Sequence, residues 1–191
     1  MSDTAEPRTP VMPGDSGRAR RVEEMIRVDH AGEYGAVAIY EGQQAVFARA
    51  PGKRRIARQI AGMAAQEEAH LEAFDDLIRS RAVRPTALMP VWRAAGYALG
   101  AATALLGEKA AHACTEAVET VIEEHYHSQA EELSALGESE LADRFAQFGA
   151  EEAEHKSLAV EEGAREAPGY PLLSGLIKLG CRAAIRISEK I

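Results

Sequence analysis

At 191 residues, with 46% hydrophobic and 27% charged residues, the chain can bury the core of one domain, and its balance is that of an ordinary globular protein. A formal net charge of −8 argues against a nucleic-acid partner, which calls for a basic excess. The two cysteines, Cys114 and Cys181, form no Cys-x-x-Cys or zinc pattern, so unpaired thiols in a reducing compartment are expected.

Residues 1–17 are rich in Pro, Ser, Thr, Asp and Gly and read as a disordered tail. They hold no apolar run for a secretory signal, and Asp3, Glu6 and Asp15 argue against a transit peptide. The rest, 18–191, reads as one all-α domain, since no segment shows the alternation of a strand and Ala and Glu favour helix. Helix is expected over 18–49, ended by Pro51-Gly52, and over 53–81, ended before Pro85. An Ala-rich apolar helix follows over 91–107, between Pro90 and Gly107. Two more long helices span 108–135 and 138–164, parted near Gly137. The run Ala167-Pro168-Gly169-Tyr170-Pro171 breaks the chain before a last helix at 172–190. Short links make antiparallel neighbours. The expected fold is therefore a four-helix bundle of two helical hairpins, joined by a long crossover that contains the apolar helix, with a C-terminal amphipathic helix added.

The two hairpins repeat each other. Glu33, Tyr40 and Gln43 in the first long helix recur 86 residues on as Glu119, Tyr126 and Gln129. Glu67-x-x-His70 recurs 85 residues on as Glu152-x-x-His155. Residues three apart share a helix face, so each Glu-x-x-His pair can address one ion. Two lone Glu and two such pairs, with no thiolate, form a donor set that suits iron or manganese. The set resembles that of ferritin-like di-metal carboxylate bundles. Four inward carboxylates without a cation would repel one another and resist burial. Glu116 and Glu123 compete with Glu119, but the repeat places His30 and Val37 opposite them. A third pair, Glu124-x-x-His127, has no counterpart in the first hairpin and reads as solvated or as an outer partner of the site.

The segment Arg27-Val28-Asp29-His30-Ala31-Gly32-Glu33-Tyr34-Gly35-Ala36, followed by Ile39-Tyr40, closely resembles the demethoxyubiquinone hydroxylase family. So does Ala113-Cys114-Thr115 with Ala117-Val118-Glu119, followed by His125-Tyr126. The resemblance runs from about residue 20 to the C-terminus. It implies a membrane-associated monooxygenase of ubiquinone biosynthesis with two Fe ions held by Glu33, Glu67, His70, Glu119, Glu152 and His155. It further implies O2 as oxidant, a demethoxyubiquinone with an isoprenoid tail as substrate, and NADH as the source of electrons. A homo-oligomer or an accessory lipid-binding protein would fit that setting.

Around this set, Tyr40 and Tyr126 are candidates to hydrogen-bond a ligand or relay an electron, with a plain core tyrosine as the alternative. His125 is a candidate contact for substrate or nicotinamide, against an ordinary surface histidine. Gln66 and Glu151 precede the two Glu-x-x-His pairs, and each is placed to accept a hydrogen bond from the opposite ligand histidine. Gly32 and Gly35 either clear space for a ring or allow close helix packing.

Residues 94–107 carry no charge but span only ~21 Å as helix, short of the ~30 Å of a hydrocarbon core. Lys178, Arg182, Arg186 and Lys190 recur every four residues in the last helix, beside Leu172, Leu173, Leu176, Leu179, Ile185 and Ile187. Both segments suit a membrane surface, so a peripheral protein on the cytoplasmic face of a bacterial inner membrane is expected. The competing reading is a ferritin-like iron-oxidising or iron-binding protein without an organic substrate, against which these apolar faces argue.

Overall fold

The computed structural model describes residues 15–191. Six α-helices follow one another: α1 (Asp15–Phe47), α2 (Arg54–Ser80), α3 (Met89–Leu105), α4 (Glu108–Ala135), α5 (Ser139–Glu161) and α6 (Tyr170–Ser188), with a 3-10 turn at Ala164–Glu166 before α6. No strand occurs among the described residues. The first helix begins three residues before its expected start, so Asp15, Ser16 and Gly17 are helical, and the rest of the expected tail lies outside the described residues. The other helices begin and end within three residues of the sequence expectation.

Periodicity explains how α2 and α5 sit. Along α2 the buried residues are Ile56, Ile60, Met63, Glu67, His70, Phe74 and Leu77, alternating four and three apart. Along α5 the same rhythm runs through Leu141, Phe145, Phe148, Glu152, His155 and Ala159. This is the seam by which helices bury one face against a neighbour. In both, the Glu-x-x-His pair occupies seam positions where an apolar side chain would normally stand. A carboxylate there costs free energy unless something compensates it.

α1 packs against α2, and α4 against α5; α3 lies along α1 and α6 along α4. The result for α4 is burial on every side from Ala110 to Glu119. α3 approaches α1 through glycines. A Cβ on Gly100 would fall 1.9 Å from the Ile39 carbonyl oxygen, and one on Gly96 would fall 2.6 Å from that of Gly35. No larger side chain fits at either point.

Two apolar clusters bracket the middle of the bundle. One gathers Met25, Ile26, Phe74, Tyr126, Leu133, Phe145 and Phe148. The other gathers Tyr40, Phe47, Ile56, Ile60, Met63 and Ala111. Along α2 the order Met63, Glu67, His70, Phe74 places the charged pair between them. No described helix is long and apolar enough to cross a membrane.

Candidate metal centre

Each of the four long helices brings its acidic residues to the same depth of the bundle. Glu33, Glu67, His70 and Glu152 place one ligand atom each within 4.8 Å of one another, and so do Glu67, Glu119, Glu152 and His155. The two groups share Glu67 and Glu152. The arrangement is thus a pair of adjacent sites with two carboxylates common to both, one lone Glu and one His belonging to each. All six side chains are buried, the four carboxylates at 1–3% exposure.

The histidine rings are oriented from behind. Nε2 of His70 donates to Glu151 Oε2 at 2.6 Å, and Nε2 of His155 donates to Gln66 Oε1 at 2.7 Å. With the proton fixed on Nε2, each Nδ1 presents its lone pair inward. Nδ1 of His70 lies 3.0 Å from Glu152 Oε1 and 3.6 Å from Glu33 Oε2. Nδ1 of His155 lies 3.0 Å from Glu67 Oε1 and 3.3 Å from Glu152 Oε2. The outer partners are those the sequence places one residue before each Glu-x-x-His pair, and each serves the opposite unit.

The tyrosines also cross between units. Tyr40 of α1 donates its hydroxyl to Glu119 Oε1 of α4 at 2.8 Å. Tyr126 of α4 donates to Glu33 Oε1 of α1. Both rings are fully buried, and a carboxylate is the oxygen partner of each hydroxyl, with Met63 Sδ a second contact of Tyr40 at 3.9 Å.

The donor set fits a pair of cations. Glu33 Oε2, Glu67 Oε1, both carboxylate oxygens of Glu152, and Nδ1 of His70 and His155 have no hydrogen-bond partner among the described residues. Six buried, inward-facing donor atoms would be costly in that state, and metal coordination satisfies them together. The electrostatics agree. Burial, then the neighbouring Glu152 charge, pushes Glu67 and Glu119 well above the usual carboxylate range. Glu33 rises for the same first reason. Burial opposes the charged form of Glu152 as well, but the adjacent His155 and His70 rings outweigh it and hold that carboxyl low. Positive charge is what the cluster lacks, and two dications balance four carboxylates.

The other residues singled out from the sequence fall elsewhere. His125, with its ring 17% exposed, sets Nε2 3.2 Å from Oδ1 of buried Asp29. Glu116 faces α6, accepting from the Tyr170 hydroxyl at 2.9 Å, with Ser174 and the Lys178 ammonium each at 3.4 Å. Glu124 pairs with Arg182 at 3.1 Å, and His127 is solvated beside Glu131. Two cations of the α6 basic stripe, Lys178 and Arg182, are therefore turned toward acids of α4. The Asp29–His125 contact has no sequence rhythm that would announce it, since the repeat puts Thr115 and Ile39 at the corresponding places.

Beside Glu33 and Glu119 runs an apolar pocket of about 600 Å³ between α1, α3, α4 and α6. Gly32, Gly35 and Ile39 of α1, Val118 of α4, Trp92 of α3 and Ile177 of α6 are among its walls. At the ends and outer faces of α3 and α6, Leu105, Leu106, Leu172, Leu176 and Leu179 are 60–75% exposed, and Leu176 also lines the pocket.

Comparison with known proteins gives this architecture its context. The family described as Ubiquinone biosynthesis protein COQ7 matches residues 20–188. A 3-demethoxyubiquinol 3-hydroxylase from Rhodospirillum rubrum is 48% identical over 190 residues, 98% of this chain and 85% of its own length. The mitochondrial NADPH-dependent 3-demethoxyubiquinone 3-hydroxylase of Rattus norvegicus is 48% identical over 172 residues, 88% of this chain and 77% of its own. The mitochondrial 5-demethoxyubiquinone hydroxylase of Saccharomyces cerevisiae is 39% identical over 189 residues, 91% of this chain and 80% of its own. The buried Glu and His cluster, the adjoining apolar pocket and these matches agree, and the chain belongs to the COQ7 family of ubiquinone biosynthesis proteins.

Proposed function

We propose that this protein hydroxylates the ring of a demethoxyubiquinone, with O2 as oxidant, at a di-iron centre held by Glu33, Glu67, His70, Glu119, Glu152 and His155. The observation that carries this reading is the pair of overlapping carboxylate–histidine groups sharing Glu67 and Glu152, set beside an apolar pocket. Carboxylate oxygen and imidazole nitrogen donors without thiolate suit iron or manganese. When bound, the iron pair supplies the electrons and open positions that activate O2, chemistry no side chain of the chain can perform alone.

The chain's own residues hold, orient and exclude. Glu151 and Gln66 fix the rings of His70 and His155, so that Nδ1 stays aimed inward. Tyr40 and Tyr126 hold one oxygen each of Glu119 and Glu33, leaving the second oxygen for the metal. The apolar clusters on both sides keep bulk water from the centre. The pocket offers the quinone ring a place beside Gly32 and Gly35, and its apolar walls suit an isoprenoid tail. A nicotinamide nucleotide is the reductant that the names of the relatives suggest. Those of the mammalian proteins specify NADPH, whereas the family resemblance implied NADH.

The contacts of α1 with α2 and of α4 with α5, with α3 between the two units in sequence, support a ferritin-like reading of two hairpins and a crossover. The exposed leucines of α3 and α6 support docking of this face on the cytoplasmic surface of a membrane, where such a substrate resides.

The test is a single turnover of iron-loaded, reduced protein with a short-tailed demethoxyubiquinol and ¹⁸O2. The expected result is a product heavier by one ¹⁸O atom on the ring. Retention of iron with no labelled product would overturn the assignment.

A further inference from the structure

Ring hydroxylation consumes protons as well as electrons. One oxygen atom enters the ring C–H bond; the other leaves as water, which takes up two electrons and two protons. A nicotinamide hydride brings both electrons and one of the two protons; the other must come from solvent and reach carboxylates that are 1–3% exposed.

One buried polar pair lies between that centre and the surface. Asp29 stands one helical turn before Glu33 on the same face of α1. Its Oδ1 is 3.2 Å from Nε2 of His125 on α4, and the next residue of α4, Tyr126, bonds Glu33. Neither Asp29 Oδ2 nor His125 Nε2 has a hydrogen-bond partner among the described residues, so the two groups meet as a close polar contact and Asp29 keeps its capacity to accept. Outward from the pair, Arg21 of α1 bonds Glu132 at 2.8 Å and reaches Glu189, just past the end of α6, at 3.5 Å.

The internal repeat shows that the fold does not require this pair. The positions matching Asp29 and His125 hold Thr115 and Ile39, and Ile39 lines the apolar pocket. Burying an ion pair where an uncharged pair fits is seldom a gain in stability. The pair also takes no part in the two ligand groups.

We propose that Asp29 and His125 form a proton path from the surface beside the end of α6 to the carboxylate centre. The proposal rests on the hydroxylase reading above. The His125 ring takes a proton from solvent at Nδ1 and gives one at Nε2 to Asp29; left as the other tautomer, the partly exposed ring is reset by proton exchange with solvent. Asp29 passes the charge toward the Tyr126–Glu33 side of the centre. Burial works to lower the His125 value, but the adjacent Asp29 carboxylate outweighs it and holds the ring's proton more tightly than usual. The charges facing the ring are Asp29 and Arg21 of α1 and Glu189 after α6.

The experiment compares iron-loaded wild type with His125→Gln and Asp29→Asn. In His125→Gln, kcat falls at least ~10-fold, iron content and the KM for the quinol hold, and the solvent deuterium isotope effect on kcat rises. Added imidazole restores part of the rate. An unchanged kcat, or a fall with neither an altered isotope effect nor imidazole rescue, overturns the path. A second measurement needs no turnover: NMR titration of the His125 ring in zinc-loaded protein. The ring titrates above its ordinary value of about 6.5 and falls toward it in Asp29→Asn. A ring that does not titrate, or titrates identically in both proteins, sinks the path whether or not the wild type hydroxylates. A wild type that makes no product sinks the hydroxylase reading instead, and the titration still decides the pair.

Discussion

The α1–α2 unit and the α4–α5 unit present the same side chains where they meet: Glu33 against Glu119, Glu67-x-x-His70 against Glu152-x-x-His155, Tyr40 against Tyr126. One layer further out they part. Behind His70 stands the carboxylate of Glu151; behind His155 stands the amide of Gln66. Asp29 and His125 pair at one end, while Thr115 and Ile39 occupy the matching places at the other. Outside α1 lies α3, pressed close through Gly96 and Gly100; outside α4 lies α6, tied through Glu116 to Tyr170, Ser174 and Lys178. The difference teaches that holding two ions asks for symmetry, whereas reacting with one asymmetric substrate at one pocket asks for its loss.

The sharpest way to break the comparison is to remove ligands shared by both groups and ligands belonging to one. Glu67→Ala or Glu152→Ala should abolish binding at both positions and with it all hydroxylation, as read by elemental analysis and product formation. Glu33→Ala and Glu119→Ala should each retain about one ion per chain. Equal loss in all four variants would mean that the groups do not divide as the distances indicate.

The outer layer should respond less, and unequally. Glu151→Ala and Gln66→Ala are each expected to cost roughly 10–100-fold in metal affinity or activity. Glu151→Ala should be the more severe, because a carboxylate bonds an imidazole N–H about twice as strongly as a neutral acceptor does. Metal titration of both variants decides this, and a reversed order would count against a role for the charge.

The covering helices come next. In Gly100→Ala the new methyl meets the Ile39 carbonyl at 1.9 Å, so α3 must shift, at ~1–3 kcal/mol of stability. In Gly175→Ala on α6 the methyl meets nothing within 4 Å, and the variant should match or exceed wild type by up to ~1 kcal/mol. Denaturant unfolding of the metal-loaded proteins reads both.

The smallest effect is at the surface. The Arg21 guanidinium bonds Glu132 and lowers its carboxyl below the ordinary 4.5. A depressed acid adds stability that is complete above its unfolded value and vanishes as pH falls through its folded value. The pair is half-exposed, so Glu132→Gln should cost under ~1 kcal/mol at neutral pH and nothing in strong acid. A penalty independent of pH would show that packing, not charge, is lost.

Much of this was legible in the sequence, because helix punctuation and the 86-residue repeat are local or self-matching signals. Proline and glycine fixed the ends of α2 and α4, and the repeat separated Glu119 from Glu116. What stayed hidden depends on which neighbour a helix face meets. Tyr40 shares a face with Glu33, two turns away, yet bonds Glu119 across the bundle. Spacing assigns a face, not a partner. The basic residues of α6 read as a free stripe, but Lys178 and Arg182 answer Glu116 and Glu124, which only the docking of α6 on α4 reveals. Asp29 stood inside a quoted motif with no indication that His125, 96 residues away, was its mate.

The exchanged tyrosines carry a consequence for how such a molecule can be assembled. Because Tyr40 serves a glutamate of the later half and Tyr126 one of the earlier half, neither half alone can finish its own coordination geometry. A severed pair of fragments would recover its ions only on reassociation, and two copies of one half could in principle complete each other. With the proposed ions at this centre, metal uptake would double as a gauge of how faithfully the halves have come together.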